Sequence, residues 1–137
     1  MAKTSGLGAT ILVDDASSVA QTISNDVFDF TFQTPRVQYD ITGVDKSAHE
    51  RLLGLADYSV SMNGGFNTAA NMSHAVLKTV PSTSVNRNVK IEPTSGSTPF
   101  LSCLTALKDY TISRSNTGEL KWATSGDLAD GTVPTWS

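Results

Sequence analysis

The sequence predicts a mainly β chain, a β-sandwich or rolled sheet with one flanking α-helix. Three observations predict it. Short segments alternate apolar and polar residues with a period of two, the pattern of half-buried strands. Clusters of Gly, Pro, Asn, Asp and Ser separate those segments. Charged residues make up only 17% of the 137 residues, while Ser, Thr, Asn and Gly are plentiful, which suits polar strand faces better than a helical bundle.

Taken in order, Ala9-Thr10-Ile11-Leu12-Val13 reads as a strand that ends at Asp14-Asp15. A weaker strand follows at Val19 to Ile23. Val27 to Gln33 is the clearest strand. Its alternation puts Phe28, Phe30 and Phe32 on a core face and Asp29, Thr31 and Gln33 on a wet face. Pro35 interrupts the ladder. Val37, Tyr39 and Ile41 then alternate with Gln38, Asp40 and Thr42 as another half-buried strand.

The period changes next. Asp45 caps an expected helix whose Ala48, Leu52 and Leu55 share a face, with Gly54 near its end. Tyr58, Val60 and Met62 alternate with Ser59, Ser61 and Asn63, and Asn63-Gly64-Gly65 reads as a turn. Met72, Val76 and Leu77 allow a short second helix, stopped by Pro81. Val85, Val89 and Ile91 form a strand that Arg87 interrupts, either by snorkelling or by meeting a partner. Pro93 to Pro99 is a loop. A long strand runs from Leu101 to Arg114, with a slip between Leu107 and Tyr110 that fits a bulge. Ser115 to Gly118 turns it into a strand from Glu119 to Thr124. Ser125 to Ser137 reads as an irregular arm ending on Trp136. The sum is roughly seven to nine strands in one domain spanning 1–137, with arms at about 1–8 and 125–137.

Function classes narrow by elimination. A net charge of -3 argues against a nucleic-acid clamp. The lone Cys103 forms no internal disulfide and no thiolate cage, and reads as a small buried apolar residue. No run approaches a membrane span, and no apolar signal segment precedes Ala9, so the expectation is a chain made in a reducing cytoplasm. His49 and Asp45 are spaced i, i+4 but lack further ligands, and His74 stands apart, so no metal is expected. No serine sits in a nucleophile elbow, and Gly6-Leu7-Gly8 is too short to cradle phosphate. The chain is read as no enzyme, without catalytic residues or cofactor.

Several segments resemble the major tail tube proteins of long-tailed, siphovirus-like phages. They are Ile41 to Ala48, Glu50 to Leu53, Ala56 to Val60, Asn63 to Asn67, Ser73 to Ser84 and Leu128 to Trp136. The similarity extends over nearly the whole chain and rests on extent, since none of these motifs is catalytic. It implies a sandwich with a flanking helix, akin to the tube protein of type VI secretion. It implies hexameric rings that stack into a tail tube through which DNA enters the host. Each subunit would add about four strands to the inner wall, so six give about 24.

On that reading, the polar strand residues Asp29, Thr31, Gln33, Gln38, Asp40, Ser59 and Ser61 are candidates to face the lumen. Pro35, Val44, Arg87, Asp127, Asp130 and Trp136 are candidate inter-subunit residues. Implied partners are further copies of the chain, the tape measure, terminator and distal tail proteins, and DNA in transit, but no membrane. The place is the virion tail, after synthesis in the host bacterial cytoplasm. Two alternatives stand beside this one: a tail terminator or head–tail connector that forms one ring, and a monomeric glycan-binding sandwich with aromatics clustered on one sheet face.

Overall fold

A computed structural model describes residues 5–94 and 98–137. The expected arm residues 1–4 and the middle of the loop from Pro93 to Pro99 lie outside the described residues.

Among the described residues the chain forms nine strands: β1 (Thr10–Asp14), β2 (Ala20–Thr22), β3 (Val27–Gln33), β4 (Arg36–Asp40), β5 (Arg51–Ala56), β6 (Ser59–Gly65), β7 (Arg87–Glu92), β8 (Leu101–Arg114) and β9 (Leu120–Leu128). Seven of them build one antiparallel sheet in the order β2-β1-β7-β8-β9-β6-β3. The other two, β4 and β5, form a separate pair, joined among the described residues only to each other.

β8 organises the sheet. Its first residues, Leu101 to Thr105, pair with β7. From Thr105 to Arg114 it pairs with β9. The register slips between Leu107 and Asp109, the bulge that the sequence predicts there. A bulge adds a residue to one strand and bends it. The sheet curls about this strand, and its two halves close on one core. Ile11, Val13, Val89, Ile91 and Leu101 come from one half, and Tyr58, Val60, Met62 and Trp122 from the other. Fully burying side chains of this kind contributes roughly 1.5–3 kcal/mol each. The mainly β, rolled architecture is as expected.

The helix is elsewhere. Residues 45–50 are a loop, and Arg51–Ala56 is β5. The Ala48, Leu52, Leu55 spacing mimics a helical face. The pairing of Leu52 with Tyr39 and of Leu53 with Gln38 overrides it, since helix propensity is a weak prior. The one α-helix among the described residues, α1 (Ser73–Leu77), lies in the second, less regular segment. It buries Val76 and Leu77 in the core, and the Asp26 carboxylate accepts from the Ser73 amide at 3.0 Å.

Three further expectations are corrected. Asn63-Gly64-Gly65 is not a turn but the end of β6. Gly64 is needed there because the Asp26 carbonyl occupies the place of a side chain; a Cβ would fall 1.7 Å from it. β9 runs on through Ser125 to Leu128, so the C-terminal arm begins at Ala129 rather than 125. That arm turns back along β8: Trp136 bridges Leu101, and Ser137 and Phe100 exchange backbone hydrogen bonds. Finally, Val37, Tyr39 and Ile41 are exposed rather than half-buried.

Candidate functional site on the polar sheet face

The strands β8, β9, β6 and β3 present one face to the core and one to solvent. On the solvent face the register aligns three rows. Asp29 stands beside Asn63, Ala123 and Thr111; Thr31 beside Ser61, Ser125 and Asp109; Gln33 beside Ser59, Asp127 and Ala106. Five of the expected lumen residues, Asp29, Thr31, Gln33, Ser59 and Ser61, are thereby brought together on one surface. The other two, Gln38 and Asp40, are not: they stand on the separate β4-β5 ribbon.

The face is polar and mostly self-satisfied. Asp109 accepts from the Ser125 amide at 2.8 Å and from its hydroxyl at 3.2 Å. Lys108, the bulged residue of β8, reaches back to Asp127 at 3.2 Å. Both partners of that pair are largely solvated, so it adds little stability. Its effect is to cover the cation that the bulge sets beside the three rows, which themselves hold the carboxylates of Asp29, Asp109 and Asp127. A depression of about 230 Å³, lined by Thr31, Gln33, Ser61, Lys108, Ser125 and Asp127, marks its centre.

Among the described residues, both long edges of this four-stranded unit are open. β3 pairs with β6 alone, and β8 beyond Thr105 pairs with β9 alone. Unpaired strand edges are templates for another chain.

At its Gln33 end the face passes into the β4-β5 ribbon, tied at its base by the Asp57 amide to the Pro35 carbonyl at 2.9 Å. The ribbon packs chiefly on itself, and its Val37, Tyr39, Ile41, Leu52, Leu53 and Leu55 are all exposed. Tyr39 and Leu52 lie on one of its faces and Leu53 on the other. At the tip, Asp40 accepts from the Thr42 amide at 3.0 Å and faces His49 Nδ1 at 3.1 Å. The Thr42 hydroxyl bond, its amide and His49 together hold the Asp40 carboxyl below its ordinary value.

The expected inter-subunit residues divide. Pro35 and Val44 lie exposed at the base and tip of the ribbon, and Asp130 is exposed after β9. Asp127 belongs to the polar face. Trp136 is half exposed, its ring 5.5 Å from Phe32 on its own chain. Arg87 is a correction. It is 1% exposed and donates to the carbonyls of Val76 and Asp14 and to the Thr79 hydroxyl, all within the chain. Burial pushes its guanidinium below the usual value, against the pull of Asp15 and Asp14.

The sequence reading missed Lys108, Asp109 and Ser125 on the polar face. The alternation of Lys121, Ala123, Ser125 and Asp127 carries the signal for Ser125, hidden by Gly126, which reads as a loop residue. Among the described residues no three His, Cys, Asp or Glu side chains cluster as metal ligands. The exposed aromatics Phe28, Tyr39 and Trp136 lie on separate elements, not on one patch.

The same overall fold is found in chains of gene transfer agent particles. The chain is similar to a subunit from the tail of an empty GTA particle, solved by helical refinement with C6 symmetry. The TM-score is 0.77 at 16% identity, over 98% of this chain and 99% of that one. It is also similar to a chain of the virion of a native gene transfer agent particle, with a TM-score of 0.70 at 15% identity, over 93% and 95% of the two chains. No protein-family model matches the chain, and no curated protein sequence does. At these identities the likeness establishes the fold.

Proposed function

We propose that this chain is the subunit of a phage-type tail tube, in which six copies close into a ring and rings stack into a channel for DNA. The observation that carries the reading is the four-stranded polar face with two open edges. Four is an even number, and all four strands are antiparallel. Its two edge strands, β3 and the second half of β8, therefore run in opposite directions. Joining β3 of one copy to β8 of the next continues the antiparallel ladder, and the join repeats around a ring.

Six copies give a barrel of about 24 strands. At about 4.8 Å per strand its backbone diameter is about 37 Å, before strand tilt widens it. That leaves room for duplex DNA. The rows of Asp29, Thr31, Gln33, Ser59, Ser61, Ser125 and Asp127 then face the lumen. Lys108 is covered by Asp127, so the wall offers few cations to hold phosphate by counterion release. The apolar ribbon, with Pro35 and Val44 at its base and tip, supplies contacts between rings. An isolated two-stranded ribbon is marginal in water, and exposed apolar patches mark interaction sites. The six-fold symmetry of the similar GTA tail agrees with this arrangement. Tape measure, terminator and distal tail proteins are the further partners, and the virion tail is the place of action.

Electron microscopy of the purified chain tests the proposal. Hollow six-fold tubes, or six-fold rings that elongate when seeded by a tail-tip complex, are expected. Particles of monomer size under both conditions would overturn it.

A further inference from the structure

The two open edges of the polar unit are each bounded by a bulge. The register of β3 on β6 slips between Val27 and Asp29, so Phe28 is an extra residue. Alternation along β3 puts Phe28 in the core with Phe30 and Phe32, but the bulge turns it out: it is 61% exposed, with its ring beside Gly65. The register of β8 on β9 slips between Leu107 and Asp109, which makes Lys108 the extra residue there. A bulge disrupts the ladder locally. Regular open edge therefore runs from Asp29 to Gln33 on β3 and from Asp109 to Arg114 on β8.

Few registers join these two edges. A slip of one residue sends every side chain to the other face. Asp29, Thr31 and Gln33 thus continue the polar face only opposite Asp109, Thr111 and Ser113. With Asp29 opposite Thr111, three regular pairs form before Lys108 interrupts them. With Thr31 opposite Ser113, Asp29 overshoots the end of β8, and four pairs remain. With Asp29 opposite Asp109, one pair remains, and it sets two like charges together, which is unfavourable. With Asp29 opposite Ser113, all five regular residues of β3 are paired and the ladder ends at Asp109, just short of the bulge.

We propose that copies of this chain join around the ring in that last register, Asp29 of one copy opposite Ser113 of the next. The proposal rests on the tube reading and adds to it the residue pairing of the join. The side chains match on both faces. On the polar face Thr31 meets Thr111, and the Gln33 amide, a donor, meets the Asp109 carboxylate. On the core face Phe30 meets Ile112 and Phe32 meets Tyr110. Threonine pairs, aromatic pairs and aromatic–β-branched pairs are the favourable cross-strand combinations. Phe30, Phe32 and Tyr110 are only partly buried at the rim of the core, and Ile112 is 42% exposed, so the join covers apolar surface that the single chain leaves bare. Within one copy Asp29 stands level with Thr111. The join sets it level with Ser113, so each copy steps two residues past the last, a stagger of the kind that closing a barrel requires.

Cysteine pairs in the full chain test the register. Cα atoms directly opposite in an antiparallel pair lie about 4.5–5.5 Å apart, within disulfide reach, and a slip of two residues takes them beyond about 7 Å. Asp29→Cys with Ser113→Cys, and Thr31→Cys with Thr111→Cys, are in register. Asp29→Cys with Thr111→Cys, and Thr31→Cys with Ser113→Cys, are slipped by two in either direction. All four positions are exposed, so thermal melts under reducing conditions are expected to match the wild type. Two strands separate β3 from β8 within one copy, which excludes a bond inside the chain, and the native Cys103 is buried and common to every variant. Rings or tubes seen by electron microscopy are oxidised mildly and run on a non-reducing gel. Each in-register pair is expected to give a covalent ladder that ends at six subunits, with at least ten times the dimer yield of either slipped pair. A slipped pair that cross-links as well as these would overturn the register. Six-fold rings in which no pair cross-links would also overturn it, by moving the join to other residues while the tube reading stands. Particles of monomer size throughout overturn the tube reading, and the register with it.

Discussion

Replacing Arg87 by alanine separates a role inside the fold from a role between subunits. The side chain is buried and donates three times within its chain: to the Val76 carbonyl at the end of α1, to the Thr79 hydroxyl at 2.6 Å and to the Asp14 carbonyl at 3.4 Å. Truncation leaves the buried Val76 carbonyl unpaired, at about 2 kcal/mol, and loses the other two bonds, at about 1 kcal/mol each. Losing the apolar stem costs about 1.6 kcal/mol, at roughly 0.8 per methylene. Against this stands the relief of a buried charge, about 2 kcal/mol or more. The net destabilisation is about 3.6 kcal/mol or somewhat less. Arg87→Met keeps the stem but loses the same hydrogen bonds, so it should cost less, about 2 kcal/mol or below. Urea unfolding followed by circular dichroism, at concentrations below assembly, reads both values. The reasoning is refuted if Arg87→Ala loses under about 1 kcal/mol while self-association disappears. Arg87 would then act between subunits, as its place in the sequence pattern first implies.

Two other perturbations follow from single groups. The Tyr58 hydroxyl is buried with no hydrogen-bond partner among the described residues, the neighbouring Thr105 hydroxyl turning instead to the Cys103 carbonyl at 3.2 Å. Tyr58→Phe removes that orphan group, so its unfolding free energy is expected to equal or exceed the wild type's, by up to about 1 kcal/mol; a clear fall would reveal a bond to the hydroxyl. Asp40 has a lowered pKa in the folded chain, mainly from its bonds to Thr42. Its contribution to the ribbon tip is therefore present above the ordinary aspartate value of about 3.9 and is lost as pH falls through the lowered one. Amide exchange at Thr42 and Glu50 should rise only below that value in the wild type, and should already be high at pH 6 in Asp40→Ala.

Much of the fold is legible because β-structure writes itself as alternation. Tyr58, Val60 and Met62 are buried where the period of two puts them, and the slip after Leu107 is a bulge. The polar face is legible by halves. The alternation names Asp29, Thr31, Gln33, Ser59 and Ser61, but only long-range register shows that they share a surface with Ser125 and Asp127. Local patterns fail where a distant neighbour decides. Leu52 and Leu55 are spaced like a helical face, yet Leu52 pairs with Tyr39, more than ten residues away in the chain. Gly64 looks like a turn residue because the sequence does not reveal the Asp26 carbonyl beside it. Phe28 fits a perfect alternation, and one extra residue in the ladder sends it to the opposite side. Arg87 interrupts a core strand, and nothing local says that three acceptors wait inside.

β8 is a single covalent strand that serves both halves of the rolled sheet, pairing with β7 through Thr105 and with β9 from Thr105 onward. Two layers joined only by side chains can slide or separate under load. Here a push on the polar face is carried along the peptide backbone into β7 and β1, in tension rather than by shear across the core. Under internal pressure such a subunit should deform as one stiff shell, with the bulge at Lys108 as its only built-in point of bending among the described residues of that strand.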